Sequence, residues 1–575
     1  MVGLGLVACS SSAPAPPPTV AEIKPVAAPR VAAEPIAGDA LFGNYLAGRQ
    51  ARRERDLDAA TLYFSRALEA DPDNIDLLRQ AYLALLADGR VSEARALAER
   101  LAEARPGEVF AGMTLAVDAF RRSDFNAARA ELDSLPRQGY NMLMVPLLSA
   151  WTAIGQGRVD VARKDLEPLK VSEAFTVFRE FHRAMIEDMA GDANAAEAAY
   201  LRALTAHTGN SYRLVKAFGS FYERHGRTKD AAKLYADYEK RAPGSLLFAE
   251  ARKRLDTGGA PAPALVGKAT DGAAEALYGV ASALYRENAI DAALLYDRLA
   301  LYLRPRHAAA QALVGQIYEA LNQPARALAA YDKVPASSPL KWSVRLRRAN
   351  DLDALGRTDE AIAALRKMSD ERPDRSDALI ALGDLLRGKE RWLESITAYD
   401  RAIGRITQFE RRHWRPLYAR AISLERAKQW PRAEADFLKA LDLAPNQPFV
   451  LNYLGYSWVD KGANLDRALK MIQRAVDLRP NDGFIVDSLG WAYYHLGRFE
   501  EAVTQLERAV ELTPDDPTLN DHLGDAYWRV GRQNEARFQW RRALTLDPPD
   551  AGTAEKIQAK LRNGLVSGPV ADGAS

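Results

Sequence analysis

Phe449, Asn452 and Tyr456 are followed about 35 residues later by Phe484, Asp487, Trp491 and Tyr494, and then by Asp521 and Trp528. Ring, amide or carboxylate, then ring again is a pattern for binding rather than for bond making. Large aromatics bury much area per ordered side chain, and an Asn or Asp beside them can hold peptide backbone groups or a cation. Bond-making constellations are absent from the sequence. His182, His207, His225, His307, His413, His495 and His522 show no metal-ligand spacing, and Cys9 has no second cysteine beside it. There is no G-x-S-x-G elbow and no dinucleotide fingerprint. Gly267-Lys268 is not a phosphate loop, because Ala262 and Ala269 stand where Gly and Ser/Thr are needed. The expectation is a non-enzymatic binding protein with no cofactor and no metal.

Such residues need a helix to align them. In the stretch opened by Gly483, Val486, Leu489, Gly490 and Tyr493 form one stripe at 3.6 residues per turn. Phe484, Asp487, Trp491 and Tyr494 form a second stripe, centred about 130° away. Gly497 suits the left-handed position that ends the helix, and Ala502, Leu506 and Ala509 make the facing stripe of the next one. Pro514 stops that helix and Pro517 opens its successor. A lone hairpin of this kind cannot bury its apolar face, so copies must stack.

The copies are visible. Leu454-Gly455, Leu489-Gly490 and Leu523-Gly524 are each followed by an aromatic, a turn glycine (Gly462, Gly497, Gly531) and a proline (Pro480, Pro514, Pro548). This resembles the tetratricopeptide repeat (TPR), a helix-turn-helix unit of about 34 residues. The resemblance implies an all-α TPR superhelical solenoid of paired antiparallel helices, with the second stripe as the wall of a groove for proteins or peptides. Tyr456 and Trp491 stand where the carboxylate clamp of chaperone co-factor repeats carries Asn, which disfavours chaperone tails as ligands.

Stepping the pattern along the chain yields two arrays joined near 256–273. Residues 40–245 form the first, of about six units, with starts at Leu41, Ile75, Val109, Leu143, Val177 and Tyr212. Residues 246–273 read as a short helix and linker, DTGGAPAPALVGKATDGA marking the joint. Residues 274–550 form the second array, of about eight units, and 551–575 a cap helix with a disordered tail. In the first array Phe110, Met113, Val117, Phe120, Met144, Leu147, Trp151, Ile154, Phe178 and Phe181 make a still more apolar second stripe. It is either a further groove or core.

At the amino end, residues 1–9 (MVGLGLVAC) resemble the remnant of a lipoprotein signal, Leu6-Val7-Ala8-Cys9 matching the lipobox and Cys9 the lipidation site. The apolar stretch before it is short and carries no Lys or Arg. Residues 10–39, rich in Ala and Pro, read as a disordered tether. The net charge of +2 gives no reason to expect nucleic acid, and no run of 18 apolar residues suggests a membrane span. The tail motifs are similar to those of bacterial TPR lipoproteins that serve as adaptors of carboxyl-terminal processing proteases. That similarity implies an outer-membrane lipoprotein on the periplasmic face, a scaffold presenting cell-wall hydrolases to a protease. An assembly platform of an envelope export or pilus machine, and a soluble cytoplasmic TPR interaction protein, are the alternatives.

Overall fold

The computed structural model describes residues 41–206, 211–546 and 551–565. Among these are thirty α-helices, three short 3-10 turns and no strand. Helices begin at Leu41, Ile75, Val109, Tyr212, Gly483 and Pro517, as the repeat spacing selects, and at Asn141 and Thr176 where it selects Leu143 and Val177. The starts follow local chemistry. The Asp516 carboxylate accepts the N–H groups of Thr518 and Leu519 at 2.8 and 3.0 Å, and Asn74 caps Ile75–Asp88 in the same way. Gly89 closes that helix at φ +88°, a conformation in which a Cβ would be strained.

By packing, the chain divides into two compact units, one ending at Ala361 and one beginning at Ile362. The boundary expected near 256–273 lies inside the first unit. Residues there do not span a gap. Ala262 and Pro263 lie on the helix Tyr212–Arg224, their carbonyls accepting the Ser220 hydroxyl at 3.1 and 2.8 Å. The Glu223 carboxylate takes the Ala262 N–H at 2.9 Å, and Leu265 and Val266 are buried.

The first unit fills its own groove. Helices Ala269–Arg286 and Ile290–Leu303 pack on Val109–Arg121, and the former also on Asn141–Gly155 and Thr176–Ala190. Gly272 meets the Trp151 ring so closely that a Cβ there would lie 2.2 Å from it. Tyr296 stands 5.2 Å from Phe110, and the Tyr302 hydroxyl donates to Asp118 at 2.7 Å. Met113, Val117, Phe120, Met144, Leu147 and Trp151 are therefore buried, and Phe110, Ile154, Phe178 and Phe181 half-buried. The apolar stripe at 110–181 is core.

Glu275, His307 and His182 are matched with partners there, whereas Asp297 is buried without one. Burial alone would raise the pKa of Glu275; the Arg213 guanidinium and His307 outweigh it and hold the carboxyl well below its usual range. His307 Nε2 lies 2.9 Å from Glu275. Burial pushes the His182 imidazole down to about 4, so its Nδ1 is free to accept the Trp151 indole N–H at 3.0 Å.

In the second unit the helix pairs repeat with little variation. Gly455, Gly490 and Gly524 sit against Ile472, Leu506 and Trp540, where a Cβ would lie within 2.7 Å of the facing side chain. Small residues at these three positions set how closely the two helices of a pair approach. The last pair, Pro517–Arg529 and Gln533–Thr545, is followed by a helix at Ala551–Asn563 with Ile557 fully buried. No helix among the described residues is long and apolar enough to cross a membrane. Cys9, the tether at 10–39 and the tail at 566–575 lie outside the described residues.

Candidate functional site

The aromatic stripe of the second unit is carried by the first helices of three successive pairs, Pro448–Asp460, Gly483–His495 and Pro517–Arg529. Each places the Leu-Gly stripe inward; of the other stripe, Phe449, Phe484, Tyr494 and Trp528 pack half-buried on the edge of the core, and Tyr456 and Trp491 lie outside that cluster. The centre of the site is on the middle helix. Trp491 and Tyr494 are half-buried and stacked, ring centroids 4.7 Å apart and planes 2° from parallel. His522, from the next helix, stacks on the same indole at 3.8 Å and 14°. Its Nδ1 lies 3.0 Å from Asp487, which is only 5% exposed. Arg529 donates through Nε to the Tyr494 hydroxyl at 3.1 Å.

Asp487, Trp491 and Tyr494 thus come together as the spacing predicts, joined by His522, which the repeat pattern did not single out. One signal marks it: Asp487 and His522 are 35 residues apart, so they meet on neighbouring helices one repeat apart. Burial alone would lower the His522 pKa; the Asp487 carboxylate outweighs it and the net shift is upward. The imidazolium so favoured lies over an indole face, a geometry in which ring quadrupole and cation attract.

On the preceding helix Tyr456 is half-buried, its phenol pKa raised by burial and by the Asp487 and Asp460 carboxylates. Asn452 is half-buried and its carbonyl oxygen has no hydrogen-bond partner. Phe449 and Phe484 are half-buried, with the Arg479 guanidinium 4.8 Å over the Phe449 ring.

The wall does not continue unchanged to Asp521 and Trp528. Lys560 of the carboxyl-terminal helix binds Asp521 at 2.8 Å and Asp525 at 2.7 Å. The Trp540 indole donates to Asp525 at 2.9 Å. Trp528 packs under Gly564, where a Cβ would come within 2.1 Å of its ring, and lies 5.4 Å from Trp540. The expected continuous line Tyr456–Trp491–Trp528 is therefore corrected: the chain's own last helix engages the third pair, and the accessible stripe is centred on Tyr456, Trp491 and Tyr494. The cap helix buries Ile557 and turns Lys560 inward.

Among the described residues no three His, Cys, Asp or Glu side chains are grouped as a metal set. The arrangement offers aromatic faces, one exposed imidazole (His495), and amide and carboxylate oxygens.

Comparison with known families matches a TPR repeat at residues 490–531 and a tetratricopeptide repeat at residues 346–410. No curated protein sequence gives a significant match. Among solved structures, the chain is similar to the APC/C hetero-tetramer Cut9-Hcn1, with 16% identity, TM-score 0.39, and 91% of this chain and 96% of that one covered. It is similar to MamA from Desulfovibrio magneticus RS-1, with 20% identity, TM-score 0.27, and coverage of 31% and 97%. A thermophilic TPR protein of Thermus thermophilus, TTC0263, shows 22% identity, TM-score 0.29, and coverage of 32% and 99%. The chain carries TPR repeats, units that act in general as protein-interaction scaffolds, and the matched families are not catalytic ones.

Proposed function

We propose that the second unit holds an extended or helical segment of another protein against Tyr456, Trp491 and Tyr494. The observation that carries this reading is the stacked Trp491–Tyr494 pair, half-buried on the second stripe. The first unit supports it, because there the equivalent stripe, including Trp151, is covered by a helix of the same chain. The test is capture from crosslinked cells with the full chain and its Tyr456→Ala and Trp491→Ala variants, with Phe538→Ala, 62% exposed on another helix, as control. Truncating an aromatic anchor lowers binding by about 2 kcal/mol or more. Tyr456→Ala and Trp491→Ala should each deplete a captured protein that Phe538→Ala retains, in proportion beyond any change in folded fraction. Equal recovery by all four proteins would remove the site.

The setting belongs to the same proposal: anchorage through a lipid on Cys9, on the periplasmic face of the outer membrane, with presentation of cell-wall hydrolases to a carboxyl-terminal processing protease. It is supported by the sole cysteine following Leu6-Val7-Ala8 and preceding an Ala/Pro tract. Palmitate incorporation lost in Cys9→Ser, with release from the membrane fraction, is the expected result. Unchanged membrane retention by Cys9→Ser would reject the lipid as the sole anchor, and a native chain that takes up no palmitate and stays out of the membrane fraction would leave the soluble cytoplasmic reading.

A further inference from the structure

A cavity of about 220 Å³ opens in the first unit where the helix Ile290–Leu303 crosses the turn at Gly89. Three cations line it: Arg121, Arg298 and Lys333. No carboxylate lines it, and among the described residues none of the three is ion-paired. Asp297, next to Arg298 in sequence, has no hydrogen-bond partner, and burial raises its pKa well above the usual range, which favours its uncharged form. Three other nearby acids are already engaged. Asp88 holds Arg326 at 3.1 Å, Asp332 holds Arg348 at 2.8 Å, and Asp118 takes Arg95, Arg122 and the Tyr302 hydroxyl. Arg121 and Lys333 are exposed and Arg298 is half-buried, so the three cations around this cavity can be reached by an anion from solution.

The geometry positions them. Arg298 is tied through Nε to the Ala87 carbonyl at 3.1 Å and bonded to the Tyr318 hydroxyl, while its guanidinium rests on Gly89. A Cβ at Gly89 would lie 3.0 Å from that group, so the glycine leaves it room. The Arg121 guanidinium lies 4.3 Å over the Tyr302 ring, which fixes its plane and leaves its edges as donors. Gln311, 7% exposed, donates to the Pro305 carbonyl at 3.0 Å and completes the polar lining.

We propose that this cavity binds a phosphate group. A phosphoryl dianion presents several oxygens to donors arriving from three sides, and guanidinium edges match it in pairs. A monocarboxylate would answer only one of the three charges. Leu301 and the Tyr302 ring form an apolar wall along which a small organic remainder would lie.

The experiment is calorimetric titration of the full chain with inorganic phosphate at constant ionic strength, alongside glycerol 3-phosphate and malonate. Saturable phosphate binding is expected, weakened about tenfold in Lys333→Gln and in Arg298→Gln, the loss of one charge-assisted contact. Lys333 has no ion-pair partner among the described residues to lose, so its variant separates binding from stability if Arg298→Gln unfolds. Tighter binding of glycerol 3-phosphate assigns a phosphate carried on an organic group; equal or tighter binding of the inorganic ion assigns free phosphate. No saturation in the millimolar range, malonate binding as well as phosphate, or undiminished binding by Lys333→Gln would each overturn the proposal.

Discussion

His522 lies face to face with Trp491, ring centroids 3.8 Å apart, while its Nδ1 is held 3.0 Å from Asp487 on the helix that carries the indole. The pair couples the stability of this stripe to proton concentration. The folded-state pKa of His522 is raised, so its stabilising contribution is complete below about 6.5 and is lost as pH rises through the raised value. Urea unfolding of the full chain, followed by tryptophan fluorescence, should show the second unit losing stability as pH is taken from about 6 towards about 8. Asp487→Asn should flatten that dependence. Asp525 acts in a separate window: burial, with Asp521 beside it, raises its pKa to about 6, so its effect falls between about 4 and 6.

Asp297 is fully buried in the helix Ile290–Leu303, and neither carboxylate oxygen has a hydrogen-bond partner. Burial raises its pKa well above the usual range. A carboxyl with a raised folded pKa weakens the fold progressively as pH climbs from its unfolded value through the folded one. Asp297→Leu should therefore stabilise the first unit, by about 1–3 kcal/mol at about pH 8 and by less at about pH 5. Denaturant midpoints at the two pH values decide this; a variant destabilised under the alkaline condition would show that a partner for Asp297 exists.

Gly272 lies directly under Trp151 in the self-filled groove, where a Cβ would come 2.2 Å from the indole. Gly272→Val has no space for its side chain without moving the indole, and overpacking of this kind costs about 1–3 kcal/mol. The first unit should melt earlier with altered tryptophan emission, while Gly388→Ala, which meets nothing within 4 Å, should cost little. Equal melting of the two variants would mean that the helix at Ala269–Arg286 is not seated as described.

Helix boundaries were legible because proline, Asn and Asp caps, and turn glycines act within a few residues of where they stand. The Leu489–Gly490 stripe was legible for the same reason, and with it the complementary placement of Trp491. What escaped was decided by distant partners. Nothing local distinguishes the stripe at Phe110–Phe181 from an open groove, since its cover is a helix about 150 residues away. The cover has its own mark in Gly272 and Gly279, seven apart on one face and set against Trp151 and Phe178. Asp521 is reached by Lys560 from a helix with no repeat phase, and Trp528 is met by Gly564 just beyond it.

The self-filled groove also imposes an order of events on synthesis. Thr270 meets Phe120 across 150 positions of chain, and Tyr302 meets Asp118 across 184. At ribosomal rates of about 5–20 residues per second, the stripe at Phe110–Phe181 waits roughly ten seconds or more for the helices that cover it. Until then its rings face water, although the helices bearing them can already form. The amino-terminal half of this chain is born with its cover still to be translated, and during that interval its apolar stripe is open surface.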